Sequence, residues 1–394
     1  MDAEIHFSAP DEYAKDLKDF EAFLEADLRP HLSRWYEEGA VPRSFFEDMA
    51  GNEWLGFDAK GDHFLEQPSL KQAVLVESLS RMSPGVAVAF GAHTSLGTKG
   101  LFLFGNEKQK GTHLDSALKG HTLICLGNTE LIAGSDVANV ACQAGKVDGG
   151  WLLNGSKAYV TNGAISDLAV ITAISDPEEN RNKRLSMFLV DLSVEGVSRR
   201  KLHKQVWIPS DLTRLQFKDV FVPDENLLGR RGRGLQQVLT IFTDSRILIS
   251  AMALGTAAGA FELALEHARK RQIFGKKIFE FQAKAFEIAD FFTRIESSRL
   301  MLWKACEKKD QGEDFRLESS MAKYLTVMMA REVGLWAADL FGAASVIFEH
   351  PIHKFPMDAW AASLGEGTQD VQKLIIFREI MKKWGEEKEE TWRF

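Results

Sequence analysis

Cysteine is scarce, with three in 394 residues, at Cys125, Cys142 and Cys306. They are widely spaced and form no C-x-x-C pair. Neither a disulfide framework nor a zinc cluster is supported, and reduced thiols in a cytoplasm-like compartment are expected. A basic excess is also missing. Forty-eight Lys and Arg face 56 Asp and Glu, for a net charge of −8. Nucleic acid is disfavoured as a partner because phosphate binding needs a basic surface, although a local basic patch can still hold an anionic nucleotide. No uninterrupted apolar run reaches the roughly 18 residues that mark a membrane span. The N-terminal MDAEIHFSAPDEYAKDLKDF contains neither an apolar signal core nor an Arg-rich presequence, so a cytoplasmic location is expected. The G-x-S-x-G, H-E-x-x-H and P-loop patterns do not occur. Gly229-Arg230-Arg231-Gly232-Arg233-Gly234 is only a loose glycine loop, so a Rossmann domain is not supported.

What is present is ordinary in bulk, 45% apolar and 26% charged, and long enough for two or three domains with a core that can enclose a cofactor. Three textures divide the chain. Residues 1–120 read as helical: Leu17, Phe20, Phe23 and Leu24 recur at three or four, Gly51, Gly56 and Gly61 punctuate a turn region, and SLKQAVLVESLSRM and the small-residue GVAVAFGAHTSLGTKGLFLFG follow. From 121 to 232 short β-favouring runs take over, namely HTLICLGNT, NVACQAGKV, WLLNGSKAYVTN, LAVITAIS, RLSMFLVDLS and LTRLQFKDVFVP, with Asp148-Gly149-Gly150 as a hairpin signal. From 233 to 394 long helical patterns return, with a stripe at Phe281, Ala285, Ile288, Phe292 and Ile295, a break at Gly365-Glu366-Gly367-Thr368, and a charged tail EEKEETWRF. The expected fold is α+β: a helical N-terminal domain, a middle antiparallel β-domain of six or more strands, and a C-terminal bundle of long helices.

Four motifs carry possible chemistry. Thr129-Glu130-Leu131-Ile132-Ala133-Gly134-Ser135-Asp136 offers hydroxyls and backbone N–H groups suited to a flavin edge or a phosphate, but taken alone it reads first as a Ser-rich connecting loop, which is common. Lys157-Ala158-Tyr159-Val160-Thr161-Asn162-Gly163 sets an aromatic ring beside a hydroxyl, or simply ends a strand in an Asn-Gly turn. Arg269-Lys270-Arg271-Gln272-Ile273-Phe274-Gly275-Lys276 either complements a helix C-terminus or grips a pyrophosphate. Glu366, between two glycines, is a solvated loop acid ahead of a Thr368 cap, or a base with a raised pKa in a nonpolar cleft.

Jointly and in this order, the motifs resemble the acyl-CoA dehydrogenase family. The resemblance runs through FGNEKQK, TELIAGSD, LNGSKAYVTNG, FKDVFVPDENLLG, RQIFGKKIFEFQ and EGTQDVQKLIIFRE. It implies an FAD enzyme, a homotetramer built as a dimer of dimers, that desaturates an acyl-CoA thioester and passes electrons to an electron-transferring flavoprotein. It gives Thr129 and Ser135 to the loop touching flavin and acyl-CoA, Tyr159 to a place against the flavin where Trp is usual, and Thr161 to its N5. Arg271, Phe274 and Gln282 fall at positions that reach FAD across a subunit boundary, and Thr368 near the diphosphate. Glu366 matches the base, Arg246 a neighbour of base and substrate, and Arg378 the CoA side. Some relatives carry the base one residue before that arginine. Here that position is Ser245, too weak a base, while Asp244 should point elsewhere on its helix.

The chain departs from the family pattern at Leu131 for proline, at Phe341-Gly342-Ala343-Ala344 for Leu-Gly-Gly, at Met357-Asp358 for Arg-Asp, and at Lys204-Gln205-Val206-Trp207-Ile208. These mark a divergent member. An acyl-CoA oxidase or flavin monooxygenase on the same fold, or a non-catalytic relative, are the alternative readings. Residues 84–96 should line part of the substrate side, and they contain no arginine, which disfavours a dicarboxylic acyl group.

Overall fold

The computed structural model describes Phe7, residues 9–60 and residues 63–387; Gly61 and tail residues 388–394 lie outside it. The helices are α1 (Ala14–Phe23), α2 (Leu32–Glu38), α3 (Ser44–Gly51), α4 (Ser69–Met82), α5 (Pro84–Gly91), α6 (Lys99–Phe104), α7 (Glu107–Leu118), α8 (Gly234–Lys270), α9 (Gln282–Asp310), α10 (Arg316–Phe341), α11 (Lys354–Ala361) and α12 (Gln369–Glu387). The strands are β1 (Phe57–Lys60), β2 (His63–Glu66), β3 (Ile124–Gly127), β4 (Gln143–Val147), β5 (Gly150–Thr161), β6 (Leu168–Ile174), β7 (Leu185–Asp191), β8 (Val197–Lys201), β9 (Leu212–Pro223), β10 (Leu227–Leu228), β11 (Gln272–Ile273) and β12 (Lys276–Lys277). They form two compact units: Phe23–Gln67 with Gly85–Ser245, and Met1–Ala22 with Pro68–Pro84 and Arg246–Phe394. Each unit draws on more than one stretch of the chain.

The first unit is organised by one eight-stranded sheet, ordered β10-β7-β6-β4-β5-β9-β8, with β3 pairing β6. The expected antiparallel sheet is in fact mixed. β3 runs parallel to β6, and Gln143 of β4 bridges Ile174 of β6 in parallel. The hairpin β4–β5 intervenes in sequence between β3 and β6, so the chain returns to β3's edge in the same direction. That hairpin turns through Asp148 and Gly149, with Val147 opposite Gly150 and Gly149 alone left-handed at φ +70°, a conformation glycine takes at no steric cost.

The central strands are buried on both faces. Ala169 and Ile171 of β6 and Phe188 and Val190 of β7 join one core with Trp151, Leu153, Leu215 and Phe217. Leu168, Val170, Met187 and Leu189 point the other way, into a core with Leu101, Leu114, Val238 and Ile241 from helices. Burial on both faces explains why LAVITAI reads as an unbroken apolar run. His93 ties the helical layer to the sheet. Its Nε2 donates to the Ala117 carbonyl at 3.1 Å, and its Nδ1 accepts from the Ile124 N–H at 3.2 Å.

The second unit is a helical assembly. α8 meets α4 closely: a Cβ added to Gly255 would lie 2.1 Å from the Glu77 carbonyl oxygen, and one on Gly259 would lie 2.3 Å from that of Arg81. Ser80 on α4 donates to the Met252 carbonyl at 2.6 Å. The Asp310 carboxylate, at the far end of α9, accepts from the Ser69 and Leu70 N–H groups at 2.8 and 3.3 Å, so α4 borrows its N-terminal cap from a distant residue. Arg299 is buried between Glu77 and Glu296. α8 is the one helix among the described residues that is long and apolar enough to cross a membrane, and 89% of its apolar window is buried inside the protein, the burial of a core helix.

Three thiols are buried and unpaired with one another. Burial pushes Cys125 up to about 12 and Cys142 to about 11, and it also raises Cys306. They have the character of inert core residues.

Candidate functional site

In the sheet unit, the structure brings the Thr129 segment against the far end of β5. Ala158 N–H donates to the Thr129 carbonyl at 2.8 Å. Beneath this junction Lys157, fully buried, pairs with Glu130 at 2.7 Å and reaches the Asn128 carbonyl at 3.2 Å. The Glu130 carboxylate also accepts from the Ala141 and Cys142 N–H groups at 2.7 and 3.0 Å. A buried ion pair this well hydrogen-bonded fixes the position of the backbone around it. Sequence reading gave Glu130 and Lys157 no role, although both sit inside the quoted motifs.

Above the pair, the side chains face outward. β5 loses register with β9 between Lys157 and Val160. Tyr159 sits at this irregularity with φ +57° and is exposed. A left-handed non-glycine residue is uncommon and strained, a feature that clusters at ligand sites. Thr161 is half-buried, Thr129 half-buried and Ser135 exposed.

The helical unit holds the remaining candidates. The chain breaks between α11 and α12, where Glu366 takes φ +48° and Gly367 φ +88°. Glu366 is half-buried. Burial pushes its carboxyl above the usual range, against the pull of two cations, Lys323 and Arg246. Both are themselves buried. Burial lowers Arg246 to about 10 and Lys323 to about 8, and Glu366 opposes both shifts. An acid held neutral longer than usual beside two desolvated cations is a common arrangement for proton-transfer chemistry.

Lys323, on α10, donates to the carbonyls of Gly365 and Gly367. Gln372, on α12 and fully buried, donates to those of Glu366 and Gly367, both at 3.0 Å. Thr368 precedes α12, its hydroxyl 3.4 Å from the Val371 N–H, a long capping contact. Next to it, the Gln369 side-chain amide is buried with neither its nitrogen nor its oxygen partnered among the described residues. A helix start with a hydroxyl and an unsatisfied amide is a donor set for an anion. Lys323, Gln369 and Gln372 were not singled out from sequence.

The remaining candidates of this unit are exposed. Arg378 is exposed, ten residues beyond Thr368 along α12. Arg271 and Gln282 are exposed, and Phe274, at φ +50° in the β11–β12 turn, is 94% exposed. Asp244 forms an ion pair with the buried Lys99 at 3.1 Å, and the Ser245 hydroxyl faces the Phe242 carbonyl of its own helix at 3.4 Å. Neither supplies a base at that position.

Comparison with known proteins adds three family models that tile most of the chain. They are the acyl-CoA dehydrogenase N-terminal domain over residues 11–121, the middle domain over 125–220 and the C-terminal domain over 232–381. The short-chain-specific acyl-CoA dehydrogenase of Clostridium acetobutylicum is 33% identical over 368 residues, covering 91% of this chain and 95% of its own. Butyryl-CoA dehydrogenase from Megasphaera elsdenii superposes with a TM-score of 0.89 at 29% identity, over 96% of this chain and all of the other. PigA, solved with FAD and proline, superposes with a TM-score of 0.90 at 27% identity, again over 96% of this chain and all of the other.

Proposed function

Because this chain belongs to the acyl-CoA dehydrogenase family, we propose that it binds FAD and removes one hydrogen from Cα and one from Cβ of an acyl-CoA thioester, with Glu366 as base. The observation that carries the reading is the Glu366 carboxyl, raised by burial and held on a left-handed turn beside two buried cations.

The residues fit the cofactor found in the PigA relative. The unsatisfied Gln369 amide and Thr368 at the start of α12 suit the diphosphate, and the outward Tyr159 with Thr161 and Thr129 suits the ring system. Bound FAD supplies the acceptor for the β-hydrogen, which leaves with its electron pair. Glu366 takes the α-proton on its carboxylate, and its peptide N–H donates to the thioester oxygen, where negative charge grows as that proton leaves. Arg246 keeps positive potential near base and substrate. Ser135 serves both ligands, and Arg378 the CoA side. Arg271, Phe274 and Gln282 complete the nucleotide site across the boundary of a homotetramer. An electron-transferring flavoprotein then reoxidises the enzyme.

The test is anaerobic titration of the flavin-loaded protein with straight, branched, cyclic and aromatic acyl-CoAs. Bleaching of the flavin by at least one of them is expected, and Glu366→Gln should abolish bleaching while retaining FAD. Full bleaching by that variant would remove Glu366 from the role. Rapid oxygen consumption by the reduced enzyme would instead mark an oxidase.

A further inference from the structure

We propose that Lys323 and Gln372 are positioning residues, a buried two-donor clamp that holds the Glu366 peptide in the orientation proton abstraction needs. The inference rests on Glu366 being the base, and it assigns a task to two side chains whose hydrogen bonds go to backbone carbonyls.

Three consecutive carbonyls, of Gly365, Glu366 and Gly367, each accept from a fully buried side chain, and Gly367 accepts from both. Loop carbonyls are ordinarily left to water. Here they are drawn inward, which fixes the rotation of the peptide planes on either side of Glu366. Glu366 sits at φ +48°, a conformation that costs free energy and persists only where the surroundings over-determine it. Four hydrogen bonds to the three carbonyls supply that constraint.

The chemistry of Lys323 supports the same conclusion. A buried ammonium is costly unless its donors are satisfied. Among the described residues no carboxylate closes an ion pair with Lys323; its two bonds go to backbone, and Glu366 acts on it only through space. Both donors come from regular helix, α10 and α12, where side-chain positions are better fixed than on loops. Lys323 also brings charge, since together with Arg246 it opposes the burial that raises Glu366.

The experiment uses the flavin-loaded protein and the variants Lys323→Met and Gln372→Met. Exchange of the hydrogen-bonded Ser363 and Leu364 amides, which lead into the turn, should accelerate on the order of tenfold in each variant, the scale of the two hydrogen bonds each one loses, while α10 and α12 keep their protection. The bleaching rate constant should fall by about tenfold to a hundredfold with little change in KM, as misplacing a reacting group does. In Lys323→Met alone, the acid limb of the pH–rate profile should move to higher pH, because a cation that favours ionised Glu366 is gone; Gln372→Met carries no charge change and should leave that limb in place. Wild-type exchange in both variants overturns the clamp, whether or not any acyl-CoA bleaches the flavin. Bleaching by Glu366→Gln overturns the base and leaves the exchange result standing. Should Lys323→Met fail to fold, Gln372→Met decides the matter on exchange and rate.

Discussion

At the scale of single residues, opposed influences on ionisation govern the pH behaviour. Glu366 has its folded pKa above the ordinary carboxylate value because burial outweighs two cations. Below that raised pKa it holds its proton and cannot act as a base, so the bleaching rate should climb with pH along a limb lying above 4.5. The same shift bears on stability. Between the unfolded and folded values the native state binds more protons, so stability falls as pH rises through that window. Glu366→Gln should therefore melt no lower than wild type at neutral pH, and a calorimetric scan would show it. His93 shows the opposite dependence. Burial lowers it from 6.5 to about 4, so its contribution is complete above 6.5 and is lost as pH falls from there to about 4, a loss of up to about 3 kcal/mol. His93→Gln, which keeps a donor and an acceptor but cannot titrate, should flatten stability against pH across this window in urea titrations. The break that holds Glu366 was legible from its flanking glycines, while the base role proposed for it came from the family resemblance and not from the residues alone. Lys323 was not: a lone lysine in SMAKYLTVMMA looks like a solvated position, and only the fold of the loop over α10 reveals that its ammonium points into the protein.

At the scale of elements, legibility followed burial. β6 and β7 announce themselves as apolar runs because both faces are covered. β8, Val-Ser-Arg-Arg-Lys, was missed because it is almost wholly exposed; it pairs with β9, and of its side chains Val197 packs on the core while Arg199 bonds nearby carbonyls, contacts that leave no apolar pattern in the sequence. The β1–β2 pair was likewise hidden, inside a glycine-punctuated stretch read as a turn region of the helical domain. The turn at Asp148-Gly149 was visible because the backbone there needs a left-handed residue; the irregularity at Tyr159 was not, since no glycine marks it. Two elements invite direct tests. Gly255→Ala puts a methyl group against the backbone of α4, so it should cost about 1–3 kcal/mol as overpacking, read as a lower denaturation midpoint. Glu130→Leu leaves Lys157 buried without its carboxylate and should cost about 3–5 kcal/mol. It should also loosen the Thr129 segment, seen as weaker retention of FAD.

At the scale of the whole molecule, the order of helix, strand and helix was readable from the change in hydrophobic period. The grouping into two compact units was not, because α4 joins the late helices through glycines and a cap more than two hundred residues away in sequence. The proposed tetramer makes its own prediction. Phe274 is 94% exposed on the single chain, so if it serves a neighbour's cofactor, dilution below the assembly threshold should release flavin. Phe274→Ala should then release it at roughly tenfold higher protein concentration, the size of one lost aromatic contact, followed by flavin fluorescence. The sparse sulfur offers a last measurement. Cys125 and Cys142 lie in the sheet unit and Cys306 in the helical one, all sealed from solvent. An alkylating reagent can reach each only when its surroundings open. Mass spectrometry of the order in which the three acquire label therefore times the breathing of each half separately, with no engineered probe. Simultaneous labelling would mean the two halves come apart as one cooperative body, and staggered labelling would identify the half that yields first.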